Sequence, residues 1–181
     1  MYPTNRWYSS KTSVAVLEKL DIAKTQYLLL NGCSVLNCVI AQLAIYYQAI
    51  PVMADRRREM LELAEDMGVY YTVNPDEEDV FEKIKEITSG AMCDCMAADA
   101  DFFPDASALF PCLKTGGKAA FGGIGGATCS AYAPISDIVS KRLEVYGVNS
   151  GDGELETSIN MIATEIVKVD GLFGDLEEFS D

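Results

Sequence analysis

Short apolar runs alternate with amphipathic stretches along this chain, and that alternation is the strongest constraint on its fold. Each apolar run is as long as a buried strand, and each stretch after it carries apolar residues at helical spacing. Strands are predicted at 26–31, 50–54, 69–73, 93–98, 118–121 and 143–148, with helices at 34–47, 56–67, 76–88, 105–113, 135–140 and 154–167. We therefore expect an α/β, doubly wound fold whose six-stranded parallel sheet has the order 3-2-1-4-5-6.

The length and hydropathy of the chain predict one domain over residues 1–181. Within it we expect an N-terminal segment at 1–12 and an acidic, solvated tail at 170–181. No apolar run reaches the roughly 18 to 20 residues that span a membrane. The first ten residues lack the pattern of a secretory signal, so we expect a cytoplasmic protein.

Charge and residue types exclude several classes of partner and chemistry. A formal net charge of −14 repels phosphate backbones and anionic lipids, so neither nucleic acid nor membrane is an expected partner. The sequence has no histidine, which removes histidine acid–base chemistry and histidine zinc ligands. Its six cysteines form no CxxC pair, so we expect buried free thiols and no zinc in this chain.

The loop after the first strand is the expected ligand site, because doubly wound sheets bind ligands at the carboxyl ends of their central strands. A dinucleotide loop there reads Gly-x-Gly-x-x-Gly. This chain keeps Gly32 but carries Ser34 and Asn37 at the second and third glycine positions. Backbone amides at the start of the following helix still predict an anion site. The candidate pyrophosphate contacts are Gly32, Cys33, Ser34 and Val35.

Asp55 closes the second strand at roughly the spacing, about 20 residues after the glycine loop, of a carboxylate that binds the adenosine ribose. An alternative interpretation makes Asp55 the N-cap of a helix that begins at Arg56. Three arginines at 56–58 would attract the 2′-phosphate of NADP, but a retained aspartate ordinarily favours NAD. We expect Asp55 and Arg56 to contact NAD, with NADP less favoured.

A glycine-rich segment, FGGIGG, follows the fifth predicted strand. Gly122 and Gly123 either let a cofactor lie close to the backbone or belong to a flexible loop. The sequence leaves both interpretations open.

Three longer pieces carry a family resemblance: CVIAQLAIYYQAIPVMADRRREMLELAEDMGVYYTVN, FEKIKEITSGAMCDCMAA and LFPCLKTGGKAAFGG. Together they resemble the cofactor-binding half of medium-chain, zinc-type alcohol and polyol dehydrogenases, from about Ser13 to the last predicted helix. The resemblance implies a Rossmann domain with its phosphate loop at 32–37, its ribose carboxylate at Asp55, and Gly122 and Gly123 beneath the nicotinamide. Asp101 stands where the family commonly has glycine.

The resemblance implies an NAD(H)-type nucleotide-binding domain of an oxidoreductase. The family's zinc-bearing catalytic lobe normally precedes this domain, so we expect a separate catalytic domain or subunit as partner and no activity from this chain alone. Two alternatives stay open. One is an S-adenosylmethionine-dependent methyltransferase, and the other is a non-catalytic assembly subunit with a decayed Rossmann site.

The last predicted strand, which starts at Leu143 and ends at Val148, is an apolar sheet edge with a single charge at Glu144. Exposed edges of this kind pair with other strands unless charges or other segments protect them. In the resembled family two cofactor domains join along this edge. We therefore expect a homodimer; the alternative is that residues 171–179 cover the edge.

Overall fold

The computed structural model describes residues 6–99, 106–123 and 134–149. Its elements, in chain order, are α1 (Arg6–Leu20), β1 (Tyr27–Asn31), α2 (Val35–Tyr46), β2 (Ile50–Ala54), α3 (Arg58–Asp66), β3 (Tyr71–Val73), α4 (Val80–Ile87), β4 (Cys93–Asp99), a 3₁₀ helix (Ser107–Cys112), β5 (Leu113–Gly122), α5 (Ile135–Lys141) and β6 (Glu144–Val148). Strands and helices alternate as the sequence predicts.

The six strands form one sheet in the order β3-β2-β1-β4-β5-β6. Every pair in it is parallel, and β1 lies at the centre between β2 and β4. Leu29 of β1 is opposite Val52 on one side and Met96 on the other. The predicted doubly wound topology is confirmed, and with it the placement of the loop after β1 at the carboxyl edge.

Both faces of the sheet are packed. Leu28 and Leu30 point into a core that contains apolar residues of α1, α2 and α3, whereas Leu29 points into a second core with α4 and the 3₁₀ helix. All three leucines are fully buried. Because β1 is buried on both faces, apolar and polar residues do not alternate along it, and its sequence is a continuous apolar run.

One helix is absent from the sequence prediction. Residues 6–12, expected to be part of an N-terminal segment, begin α1, which packs against α2 and β5. Its residues Val16 and Leu20 are buried. The helix predicted at 105–113 is instead a 3₁₀ helix that contains Pro111, which has no N–H to donate.

Several predicted features lie outside the described residues: Asp101, the glycines at 125–126, the helix at 154–167 and the tail at 170–181. Within the described ranges, no helix is both long and apolar enough to cross a bilayer. Five cysteines of those ranges are buried free thiols, at 33, 38, 93, 95 and 112. Burial raises the pKa of Cys95 and of Cys112 to about 12, so both stay protonated at neutral pH.

Candidate functional site

Gly32 makes the turn that leads from β1 into α2. Its φ of +84° lies in the left-handed region, which costs a residue with a Cβ atom roughly 1 kcal/mol. The Gly32 N–H donates a hydrogen bond of 2.8 Å to the Ala54 carbonyl at the end of β2. The glycine retained at the first motif position thus fixes the loop against the neighbouring strand.

Ser34 caps the N-terminus of α2. Its Oγ accepts a hydrogen bond from the Asn37 N–H at 3.2 Å. Cys33, just before the cap, contacts Cys38 with 3.3 Å between the Sγ atoms, in the positions where a hydrophobic staple fixes the start of a helix. The hydroxyl that replaces the second motif glycine therefore has a structural role.

The first turn of α2 leaves backbone donors available. Among the described residues, the N–H groups of Ser34, Val35 and Leu36 have no hydrogen-bond acceptor. A helix start carries a partial positive charge, and its unpaired N–H groups point outward along the axis. This end of α2 is therefore suited to bind an anion beside β1.

Asn37, at the third glycine position, is fully buried beneath the loop. Its Nδ2 donates to the carbonyls of Asn31 at 2.9 Å and Gly32 at 2.8 Å. Within the described residues, Asn37 Oδ1 and Asn31 Nδ2 are buried without a hydrogen-bond partner. Asn37 thus replaces the third motif glycine by donating hydrogen bonds to the two loop carbonyls. The buried side-chain atoms Asn37 Oδ1 and Asn31 Nδ2 are left unsatisfied, which is unfavourable.

Asp55 joins the loop after β1 to the loop after β2. Its Oδ2 accepts hydrogen bonds of 2.8 Å from the Cys33 N–H and from Arg57 Nη2. Its Oδ1 accepts from the Arg57 backbone N–H at 2.9 Å and from Arg57 Nε at 3.1 Å. The residue is only 1% exposed. A carboxylate offers about four acceptor sites, so the protein's own donors already occupy the capacity of Asp55.

The alternative interpretation of Asp55 as a helix N-cap is wrong. Helix α3 begins at Arg58, and its N-cap residue is Arg57. Asp55 lies two residues before that cap and bonds the Arg57 N–H in the loop. The arginine two positions after the aspartate was available in the sequence as a signal for this pair, but three consecutive arginines gave no reason to choose Arg57.

The charge of Asp55 is stabilised in place. Burial alone would raise the pKa of Asp55, but hydrogen bonds from the Arg57 guanidinium and from the N–H groups of Cys33 and Arg57 outweigh it and lower the pKa. The pKa of Arg57 is raised, first by its hydrogen bonds to Asp55. Both groups are therefore ionised at neutral pH.

Arg56 and Arg58 flank this pair on the surface. Their side chains are 71% and 68% exposed, and they approach Asp76 at 3.7 Å and Glu77 at 3.2 Å. Exposed pairs of this kind contribute about 0 to 1 kcal/mol each. The loop after β2 thus carries two exposed guanidinium groups, and their ion pairs with the acidic residues after β3 are weak.

Gly122, at the end of β5, is required for packing. A Cβ atom built there would come 3.0 Å from Thr12 and Val16 side-chain carbons and 3.1 Å from one of Leu36. Gly123 follows with a φ of +130°. The small size of Gly122 lets α1 and α2 pack closely against the sheet.

In the part of the chain that the structure describes, no three histidine, cysteine, aspartate or glutamate side chains are grouped to hold a metal ion. The N-terminus of α2, the loop glycine Gly32 and the buried pair of Asp55 and Arg57 lie together at the carboxyl edge of the sheet. The sequence matches the zinc-binding dehydrogenase family over residues 36–164, which is more than half of the chain. The chain belongs to the zinc-binding dehydrogenase family.

Comparisons with individual proteins support this family assignment. An uncharacterized zinc-type alcohol dehydrogenase-like protein of Haemophilus influenzae is 28% identical over 170 residues, which are 91% of this chain and 48% of that protein. Among solved structures, a short chain alcohol dehydrogenase from E. coli CFT073 complexed with NADH superposes with a TM-score of 0.77 at 16% identity, over 90% of this chain and 48% of that one.

A zinc-binding dehydrogenase from Sinorhizobium meliloti 1021 bound to NADP superposes with a TM-score of 0.78 at 19% identity, over 91% of this chain and 49% of that one. The chain therefore spans about half the length of the relatives it matches. At these identities the structural likeness concerns the fold. Neither the methyltransferase nor the assembly-subunit alternative gains support from these matches.

We predict that Asp55→Asn lowers the free energy of unfolding by about 1 to 3 kcal/mol at pH 7, because it removes charge-assisted hydrogen bonds in a buried setting. The folded pKa of Asp55 lies below its unfolded value of about 3.9, so the stabilisation is complete above that pH and is lost as the pH falls through the folded value. Urea unfolding of both proteins between pH 7 and pH 3 measures the difference.

The matched control is Asp76→Asn, which removes a carboxylate from the exposed contact with Arg56. It should change stability by less than about 0.5 kcal/mol. An Asp55→Asn effect as small as that of the control, or one that grows as the pH falls, would contradict the prediction.

Proposed function

We propose that this zinc-binding dehydrogenase chain is the nicotinamide-dinucleotide-binding domain of an oxidoreductase. The observation that carries the proposal is the start of α2, where three backbone N–H groups without acceptors among the described residues follow a glycine turn at the carboxyl end of the central strand. A pyrophosphate fits those donors, since it is anionic and needs the close backbone approach that Gly32 allows.

The placement of the whole dinucleotide follows from the position of its pyrophosphate. The pyrophosphate lies over the backbone of Gly32, Cys33, Ser34 and Val35. The adenosine ribose lies beside the loop after β2, where Asp55 and Arg56 are found, and the nicotinamide extends toward Gly122 and Gly123. The dinucleotide supplies hydride transfer when bound, and the residues of this chain bind and orient it.

NAD and NADP differ at the ribose side of this site. The retained Asp55 favours NAD on the general rule that a carboxylate binds ribose hydroxyls. The neighbouring arginines favour the 2′-phosphate of NADP. Two of the solved relatives carry NADH and NADP respectively, so their ligands support a nicotinamide dinucleotide without selecting one.

Zinc-dependent chemistry at a substrate requires a metal site, and the described residues bring no three possible metal ligands together. The sequence contains no histidine. We propose that a zinc-bearing catalytic domain, on the same polypeptide or on another, completes the oxidoreductase. The 181-residue chain by itself should show no zinc-dependent oxidation of an alcohol, and turnover by the purified chain would contradict this.

We predict that the chain binds one reduced nicotinamide dinucleotide and that Gly32→Ala weakens this binding at least about tenfold, because a Cβ atom at φ +84° forces the loop to move away from the pyrophosphate. Calorimetric titration with NADH and NADPH measures it. The matched control is Gly90→Ala, at φ +85° in open space in the turn between α4 and β4.

Both alanine variants carry similar backbone strain, so only the Gly32 variant should lose affinity. Failure of the wild-type chain to bind either dinucleotide would overturn the proposed function. Equal losses in the two variants would show that the effect comes from stability and not from the loop.

We also propose a homodimer through β6. Among the described residues this strand pairs only with β5 and forms the edge of the sheet, and its Val145 is 41% exposed. Two copies meeting antiparallel across a two-fold axis would complete each other's hydrogen bonds in one continuous sheet. Residues 171–179, the alternative cover, lie outside the described residues.

Val145→Lys should convert the dimer to a monomer in sedimentation, because it places a charge in the paired edge. The control is Tyr70→Lys, which changes an 84% exposed residue next to β3 at the opposite edge of the sheet. It should leave the dimer intact. A wild-type chain that sediments as a monomer at tens of micromolar rules the dimer out.

A further inference from the structure

We propose that Cys33 and Cys38 are a modification site, at which hydrogen peroxide forms a reversible disulfide across the start of α2, and that this disulfide weakens dinucleotide binding there. Formation of the disulfide is independent of the proposed function. Its effect on binding rests on the proposed function and adds redox regulation to it.

The start of α2 brings the two sulfur atoms together. Ser34 is the N-cap of α2, so Cys33 lies one residue before the cap and Cys38 four residues after it. Side chains at these two positions meet in a hydrophobic staple, and here the Sγ atoms are 3.3 Å apart. A disulfide has an S–S distance of about 2.05 Å, so closure requires the sulfurs to approach by roughly 1.2 Å. Cys95 differs, because its Sγ lies 3.7 Å from the Leu20 carbonyl oxygen.

The two thiols have different roles in the oxidation. The pKa of Cys38 is raised, first by its hydrogen bond with Cys33 and then by burial, so Cys38 keeps its proton. Cys33 therefore reacts first. As the thiolate it attacks one peroxide oxygen, the O–O bond breaks, and a sulfenic acid forms while hydroxide leaves and takes up the proton that Cys33 lost.

The second step closes the disulfide. The Cys38 sulfur attacks the sulfenic sulfur of Cys33, the S–S bond forms, and the S–O bond breaks. The departing hydroxide takes the Cys38 proton and leaves as water. Two thiols and one hydrogen peroxide thus give one disulfide and two waters, and a dithiol reductant reverses the reaction by exchange.

Both cysteines are fully buried, so the oxidant reaches them when the loop after β1 opens. In the closed loop, the Gly32 N–H donates to the Ala54 carbonyl and the Cys33 N–H donates to Asp55. Loops open locally at a lower free energy than the central strands of a sheet. We therefore expect slow oxidation that does not require unfolding of the whole domain.

The disulfide encloses the proposed anion site. The N–H groups without acceptors among the described residues, those of residues 34–36, lie between the two cysteines. Cys38 belongs to α2 and Cys33 to the loop, so closure draws Cys33 toward the helix. That movement lengthens the 2.8 Å hydrogen bond from the Cys33 N–H to Asp55 and displaces the neighbouring donors. The pyrophosphate then meets a distorted site, and the affinity falls.

A purely structural contact makes a different prediction. Two protonated thiols also pack as small apolar side chains and fix the start of the helix. In that case the folded chain keeps both thiols in hydrogen peroxide, and they oxidise only after unfolding.

The first test is a peptide mass measurement on the 181-residue chain after treatment with hydrogen peroxide. Free thiols are alkylated and the protein is digested with trypsin without reduction. Both cysteines fall in the tryptic peptide of residues 25–56. That peptide should carry no alkyl group and be lighter by two hydrogens, as an internal disulfide requires. Dithiothreitol should restore two thiols that can be alkylated.

The second test is calorimetric titration with NADH after the peroxide has been removed. The oxidised chain should bind NADH at least about threefold more weakly than the reduced chain, a loss of about 0.6 kcal/mol or more. Treatment with dithiothreitol should restore the affinity of the reduced chain.

Two variants separate the disulfide from other oxidation. Cys38→Ala removes the second sulfur, so peroxide should no longer change its NADH affinity. The matched control is Cys95→Ala, which removes a buried thiol whose sulfur contacts a carbonyl oxygen. It should form the disulfide and lose affinity as the wild-type chain does. The wild-type peptide mass decides the modification site even if a variant does not fold.

The outcomes separate this inference from the proposed function. A folded wild-type chain that keeps both thiols, at a peroxide concentration that oxidises the urea-unfolded chain, overturns the modification site. An unchanged NADH affinity in the oxidised chain, or a peroxide-dependent loss that persists in Cys38→Ala, overturns its effect on binding. If the reduced chain binds no dinucleotide, the proposed function and that effect both fail, while the peptide mass still decides whether the disulfide forms.

Discussion

The hydrogen bonds of the Asp55 carboxylate hold the candidate site together. One bond from the Cys33 N–H reaches across from the loop after β1, and three bonds from Arg57 come from the loop after β2. Without this carboxylate the two loops would be joined at this edge mainly by the Gly32 bond to Ala54. The orientation of the α2 N-terminus, and with it the proposed anion site, depends on that link.

The glycine motif shows how a fold keeps a loop while its sequence changes. Two glycines of the dinucleotide pattern are replaced, yet Gly32 retains the one position where a positive φ is required. Ser34 caps the N-terminus of α2, and the Asn37 side chain donates hydrogen bonds to the carbonyls of Asn31 and Gly32. The two unsatisfied amide atoms of Asn31 and Asn37 are the physical cost of this arrangement. A degenerate motif is thus compatible with an ordered anion site.

Most of the fold could be predicted from the sequence because its central strands are buried on both faces. Leu28 to Leu30 form a continuous apolar run that only such a strand explains, and the order of the six strands followed from the alternation with helices. Helix α1 was missed because its N-terminal residues show no clear apolar periodicity, and its burial comes from contacts with α2 and β5. The sequence predicts a helix at 105–113 without its type, because periodicity does not distinguish a short 3₁₀ helix from an α-helix.

The sequence predicts where the candidate site lies but not the hydrogen bonds within it. Topology places Gly32 and Asp55 at one edge, but which of three arginines bonds the carboxylate depends on loop geometry that no local pattern encodes. The most direct measurement is a crystal structure of the chain with a reduced nicotinamide dinucleotide. It should show the pyrophosphate on the N–H groups of Ser34 and Val35, with the hydrogen bond from the Cys33 N–H to Asp55 retained. A pyrophosphate bound away from the start of α2 would contradict the central claim.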